Sequence, residues 1–130
     1  MFINSLAVFI GGGSGALARY FTGLIMLKYA SYNLPFSTFV VNIAGSLILG
    51  FLYILFINRP EFSPGIKLAL TAGFCGGLTT FSTMSLEVFE MLGNQRFIHA
   101  FLYILISILI GLLAVSFGAF LCKVILNSIN

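Results

Sequence analysis

Gly73-Phe74-Cys75-Gly76-Gly77-Leu78-Thr79-Thr80-Phe81-Ser82-Thr83-Met84-Ser85 occupies the middle of an apolar segment that runs over about residues 65–92. Two adjacent glycines and the hydroxyl-bearing run that follows them continue an α-helix poorly, so the pattern predicts a helix broken at Gly76-Gly77. In so apolar a segment the break would lie at membrane depth. Unpaired amides and carbonyls survive there only when buried in protein or facing a watery cavity. A break of that kind reads as an ion site. A glycine-rich packing kink is the plainer reading, and it gives the hydroxyl run no purpose.

Outward from this stretch, three more apolar segments cover about residues 3–27, 38–57 and 97–126, each near or above the roughly 20 residues that cross a bilayer core. They are separated by a turn over 28–37 containing Asn33 and Pro35, by Asn58-Arg59-Pro60 and the loop 61–64, and by Gly93-Asn94-Gln95-Arg96. Apolar residues make up 60% of the chain, charged residues 7%, and mean hydropathy is +1.14. A soluble domain carries about a quarter of its residues charged. This chain has only Arg19, Lys28, Arg59, Lys67, Arg96, Lys123, Glu61, Glu87 and Glu90, too few to cover it in water. The expectation is an all-α integral membrane protein, one transmembrane domain over residues 1–130, with four helices of which the third is broken. Residues 3–10 resemble a short signal core, but no basic residue precedes them and the apolar pattern runs on to Leu27, so they read as a retained first span.

Orientation is poorly encoded. One side of the four spans would carry Arg59, Lys67 and Lys123; the other would carry Lys28 and Arg96, with Arg19 near it. The Lys/Arg bias that sets topology is nearly absent. Such a chain can insert both ways and assemble as an antiparallel, dual-topology dimer, or a single loop charge can decide one orientation; charge counting leaves both open. Four short helices leave little room for a wet path inside one subunit, which favours a path between subunits.

Several function classes drop out. The net charge of +3 is scattered and forms no basic run for nucleic acid. His99 is the only histidine and there is no Asp, so no metal cluster or nucleophile–base pair can be assembled. Cys75 and Cys122 match no disulfide or metal spacing and read as packing residues. Gly11-Gly12-Gly13-Ser14-Gly15 mimics a nucleotide loop but follows no strand. Its glycines, four apart, instead make a face on which helix backbones can approach closely.

What remains is a sparse polar inventory. Arg19 lies one turn beyond Gly15, and a cation within a span costs about 2.5–3.5 kcal/mol even on a lenient scale. It reads as lining a wet vestibule or as held by structural hydrogen bonds, with snorkelling to an interface the lesser reading. Asn42 heads a small stripe with Ser46 and Gly50, and serves either as interhelical glue or as an ion ligand. Phe81 stands among hydroxyls, and a phenyl edge is electropositive enough to face an anion, while for any single phenylalanine in so phenylalanine-rich a chain core packing is the favoured reading. Tyr103, Ser107, Gly111, Ala114 and Gly118 share a face of the fourth segment. Amide, hydroxyl, phenyl edge and open backbone donate hydrogen bonds well, and so suit a small anion better than a cation.

Residues 11–19 (Gly-Gly-Gly-Ser-Gly-Ala-Leu-Ala-Arg), 38–42 (Thr-Phe-Val-Val-Asn) running on to Gly45, and 73–83 (Gly-Phe-Cys-Gly-Gly-Leu-Thr-Thr-Phe-Ser-Thr) together resemble the Fluc/CrcB fluoride channel family over essentially the whole chain. The resemblance implies antiparallel homodimers with two pores and passive export of fluoride across the plasma membrane of a microbe. It places Asn42, Phe81, Tyr103 and Ser107 on the fluoride path, with Phe81 facing the ion from the partner subunit, and Arg19 at the vestibule. It assigns the carbonyls of Gly76 and Thr79 to a structural Na+ at the dimer centre. Thr38 and Glu87 also match family positions. Two departures stand out: Met84 falls where a second pore phenylalanine is usual, and Gly111 where a serine is common. A thioether is flexible and lacks the ring quadrupole, so ion coordination at Met84 is expected to shift. The competing reading is a small dual-topology, proton-coupled multidrug exporter, which needs a membrane-embedded carboxylate; the first segment has none, and Glu87 and Glu90 lie towards a helix end. A third is a non-transporting assembly subunit, which leaves the broken helix unexplained.

Overall fold

The structure, a computed structural model, describes residues 1–29 and 35–129. The turn expected around Asn33 lies outside the described residues. Helix α1 (Phe2–Tyr29) is followed by α2 (Phe36–Asn58), then by a third segment in pieces, α3 (Pro64–Leu68), a π-helical stretch (Ala69–Cys75), α4 (Gly76–Leu78) and α5 (Phe81–Gly93), and last by α6 (Phe97–Ile129). Among the described residues the chain is all-helical, and it forms four helical segments as expected.

Local chemistry sets the boundaries. Helix α2 ends at Arg59, whose φ of −128° and ψ of 75° leave the helical region because Pro60 follows it. Ser63 caps α3 by accepting from the Ile66 amide, with Pro64 in the first turn where a missing N–H costs nothing. Helix α5 closes with the Arg96 amide on the Met91 carbonyl at 2.8 Å and the Gln95 amide on the Leu92 carbonyl at 3.0 Å. That pairing needs a left-handed residue, and it is Gln95, at φ 59°, that adopts it, not Gly93.

The helices pack in two pairs, α1 against the third segment and α2 against α6. Both seams use the glycines. A Cβ on Gly11 would strike the Ala69 carbonyl, and one on Gly118 would strike the Leu47 carbonyl. The glycine face expected on α1 is therefore a contact surface with the third segment. Cys75 and Cys122 are free and buried, as packing residues should be.

Among the described residues two helices are long and apolar enough to cross a membrane, Phe36–Asn58 and residues Phe97–Ser128 of α6. They are not the core of a soluble protein: only 22% and 11% of their most apolar windows are buried. Ile98, Phe101, Leu113 and Phe120 stand exposed along α6. An apolar surface of that extent needs lipid or a partner to cover it. The first and third segments depart from the even pattern expected of four spans, because glycines and Arg19 dilute α1 and the break divides the third segment.

Candidate functional site

The third segment is broken, but not at Gly76-Gly77. Both glycines are helical, and the interruption falls three residues later at Thr79 (φ −81°, ψ 158°) and Thr80 (φ −152°, ψ 119°). Gly77 serves packing instead: a Cβ on it would meet the Gly12 carbonyl of α1. Thr80 makes the break by acting as the N-cap of α5. Its hydroxyl accepts from the Thr83 amide at 3.2 Å and lies 2.9 Å from the Thr83 hydroxyl.

Asn42, reaching across from α2, pairs with the freed backbone. The Thr80 amide donates to Asn42 Oδ1 at 2.7 Å, and Asn42 Nδ2 donates to the Thr80 carbonyl at 3.1 Å. This reciprocal pair settles which way the amide points, since a backbone N–H demands an acceptor and a carbonyl demands a donor. Asn42 is thus glue, and it retains one N–H without an acceptor among the described residues. In a continuous helix the Thr80 amide would bond the Gly76 carbonyl, and its diversion to Asn42 strips that carbonyl of its helical donor.

Two cavities meet at this point. One, of about 490 Å3, is lined by Asn42, Ser46, Gly76, Thr79, Phe81 and Met84 among others. The second, of about 440 Å3, is lined by Asn42, Phe81, Met84, Ser85 and Ser107 with apolar neighbours. Asn42, Phe81 and Met84 therefore border both. Ser107 places a buried hydroxyl at the second cavity with no hydrogen-bond partner among the described residues. A helical serine ordinarily bonds back to its own helix, so an idle hydroxyl here is a donor held in reserve. Phe81 is 78% exposed at the start of α5.

A third cavity, of about 400 Å3, lies between α1, α2 and α5 and is lined by Arg19, Tyr20, Ser37, Thr38, Thr80 and Thr83 with neighbouring residues. Arg19 lines this cavity, and its Nη1 donates to the Thr79 carbonyl at 3.1 Å. On the α6 side, Glu87 accepts from Thr38 Oγ1 at 2.6 Å and from the Tyr103 hydroxyl at 2.8 Å. Tyr103 is thus tied to Glu87, and the second cavity is lined by Ser107 without it.

The structure brings Arg19, Asn42, Gly76, Thr79, Phe81 and Met84 around one break, with Ser107 beside it and Thr38 and Tyr103 joined through Glu87. Sequence reasoning missed Thr80, whose peptide both engages Asn42 and sets the break. Its signal was a threonine three residues before another hydroxyl at the head of an apolar helix. No group of three or more His, Cys, Asp or Glu able to hold a metal occurs among the described residues.

Residues 6–119 match the family model described as CrcB-like protein, Camphor Resistance (CrcB). The chain is 42% identical over 119 residues to the fluoride-specific ion channel FluC of Hydrogenobaculum sp. (strain Y04AAS1), covering 92% of this chain and 97% of that one. It is 40% identical over 114 residues to the protein of the same name from Flavobacterium psychrophilum, covering 88% and 92%. Against that of Bacteroides fragilis the identity is 44% over 117 residues, covering 88% and 91%.

Proposed function

The chain belongs to the CrcB family, a family of ion channels and not of enzymes, and from that membership we propose that it is a subunit of a fluoride-selective channel that lets fluoride leave a microbial cell passively. The observation that carries this reading is the cavity shared by Asn42, Phe81, Met84 and Ser107. The spare Asn42 N–H and the unpaired Ser107 hydroxyl are neutral donors that can replace water around a small anion without trapping it. The edge of Phe81 is electropositive with no fixed charge, and in the assembly it would be offered to an anion in the partner's pore.

The assembly in this reading is an antiparallel, dual-topology homodimer with two pores, spanning the plasma membrane several times. Phe81, exposed on the single chain, would face the pore of the partner subunit. A structural Na+ belongs at the dimer centre. The residues fit such an ion: the Gly76 carbonyl has lost its helical donor, the Thr79 carbonyl keeps a lone pair beyond its bond to Arg19, and both lie at the C-terminal end of the helical run over residues 64–78. Two carbonyls cannot enclose a cation, and a second copy would supply two more. The ion would supply fixed positive charge between the subunits, while the residues of this chain present the oxygens.

Two measurements test the reading. In a planar bilayer under a fluoride gradient, a passive channel gives a current that reverses at the fluoride equilibrium potential. A current that follows the proton gradient instead would reject it. A single cysteine placed near the C-terminus, probed with an impermeant reagent from each face of intact cells, should label from both sides; labelling from one side only would remove dual topology.

A further inference from the structure

Thr79 C=O and Thr80 N–H belong to one peptide group, planar and trans. Its oxygen accepts from Arg19 Nη1 at 3.1 Å, and its N–H donates to Asn42 Oδ1 at 2.7 Å. In a trans peptide these two atoms point in opposite directions, so the unit is gripped from α1 on one edge and from α2 on the other. We propose that Arg19 is a positioning residue of the pore, holding this peptide and thereby orienting and polarising the Asn42 amide, and that it does not act chiefly as a charge drawing anions into the vestibule. The inference rests on the channel reading above.

A guanidinium donating to a carbonyl makes a charge-assisted bond, about twice as strong as a neutral one. Withdrawal of electron density toward Arg19 makes the Thr80 N–H a better donor. The stronger bond to Oδ1 in turn leaves the Nδ2 hydrogens of Asn42 more positive, since linked hydrogen bonds polarise one another in a medium of low dielectric. One of those hydrogens goes to the Thr80 carbonyl, and the other has no acceptor among the described residues. A full positive charge thus acts on an anion donor without standing in the pore, where it would bind the anion too tightly to release it. Close packing keeps Arg19 on this target: a Cβ on Gly15, one turn earlier, would meet the Phe74 carbonyl. No carboxylate of the described residues lies within salt-bridge distance of Arg19 to compete.

The test uses the full-length chain in liposomes, with fluoride efflux measured for wild type, Arg19→Gln and Arg19→Lys at ionic strengths of ~10 mM and ~300 mM, where screening lengths differ severalfold. Positioning predicts that Arg19→Gln slows efflux at least about tenfold, as loss of a group that sets near-contact geometry does, and by the same factor at both salts. Arg19→Lys should recover part of it. In detergent, the 15N-labelled Asn42 side-chain amide, identified by its loss in Asn42→Ala, should shift in Arg19→Gln and move back toward wild type in Arg19→Lys. An Arg19→Gln defect confined to low salt, or an unmoved Asn42 resonance, would overturn the proposal in favour of a vestibule charge. If Arg19→Gln does not fold, Arg19→Lys is decisive: an efflux deficit independent of salt with a displaced Asn42 resonance supports positioning, and full activity with an unmoved resonance overturns it. Absence of fluoride efflux from wild type would instead sink the channel reading, and the resonance would still report on the Arg19–Asn42 linkage.

Discussion

Tyr103 of α6 donates its hydroxyl to Glu87 Oε2 at 2.8 Å, joining the last helix to the half of the broken segment that follows the break. Thr38 of α2 donates to the other carboxylate oxygen at 2.6 Å. Glu87 is thus a three-helix junction, with each of its oxygens accepting a hydroxyl proton.

That arrangement separates a channel from a carboxylate-coupled exporter. Glu87→Gln keeps one acceptor oxygen and replaces the other with an NH2 donor, which a hydroxyl can meet by rotating. Fluoride efflux should therefore persist within about tenfold of wild type, because only one of two charge-assisted bonds is weakened and the other is replaced. Efflux of fluoride with and without an imposed pH gradient measures this. Abolished transport in Glu87→Gln, together with gradient-driven transport in wild type, would favour the exporter.

Removing the Asn42 side chain should harm both stability and conduction. Asn42→Ala leaves the Thr80 amide and carbonyl without their partner at a buried break, costing about 2–6 kcal/mol at ~1–3 kcal/mol per orphaned group. Asn42→Asp keeps the acceptor for the Thr80 amide but removes both donors and adds a negative charge. It should keep more thermal stability than Asn42→Ala while losing fluoride flux at least as completely. Melting in detergent and efflux from liposomes, on the same preparations, check the two halves.

At the α5–α6 turn, Gln95 occupies a left-handed conformation, φ 59°, that costs a residue with a Cβ about 1–2 kcal/mol. Gln95→Gly relieves it while loosening the unfolded chain by about 0.4–1 kcal/mol. The expected net is a gain of about 0.5–1 kcal/mol with unchanged conduction. Thermal unfolding of the two proteins side by side decides it.

The α2–α6 seam predicts the opposite outcome. Gly118→Val would drive a branched side chain into the Leu47 carbonyl, and Gly50→Val would drive one into the Val115 carbonyl. Neither neighbour is a flexible side-chain end, so the helices must part, at a cost of about 1–3 kcal/mol or more. Each substitution should lower the melting temperature. Gly13→Ala, where a Cβ meets nothing within 4 Å and helix propensity rises, should not lower it.

Much of this was legible in the residues, and the part that was not has a physical cause. Composition and period gave four helical segments, and Pro60 and Ser63-Pro64 marked turns that local rules set unaided. The break itself was visible, but its position was not. Glycine lowers helix propensity wherever it stands, yet Gly77 stays helical where α1 packs against it more closely than any side chain would permit, and Gly76 continues the same turn. The true break at Thr79–Thr80 depends on a capping hydroxyl and on an amide from a residue 38 positions away, which no local pattern encodes. Arg19, Asn42 and Thr80 were all prominent or nearby in the sequence. Their meeting on adjacent peptides is a product of tertiary packing.

The central claim is selective, passive passage of fluoride along Asn42 and Phe81, and fluoride efflux from liposomes holding the purified protein tests it most directly. Chloride efflux, Asn42→Ala and Phe81→Ile are run beside it. The account predicts rapid fluoride loss without chloride loss, slowed by either substitution in protein that remains folded and dimeric. Folded, dimeric wild-type protein that releases no more fluoride than empty liposomes, or that releases chloride equally fast, would contradict it.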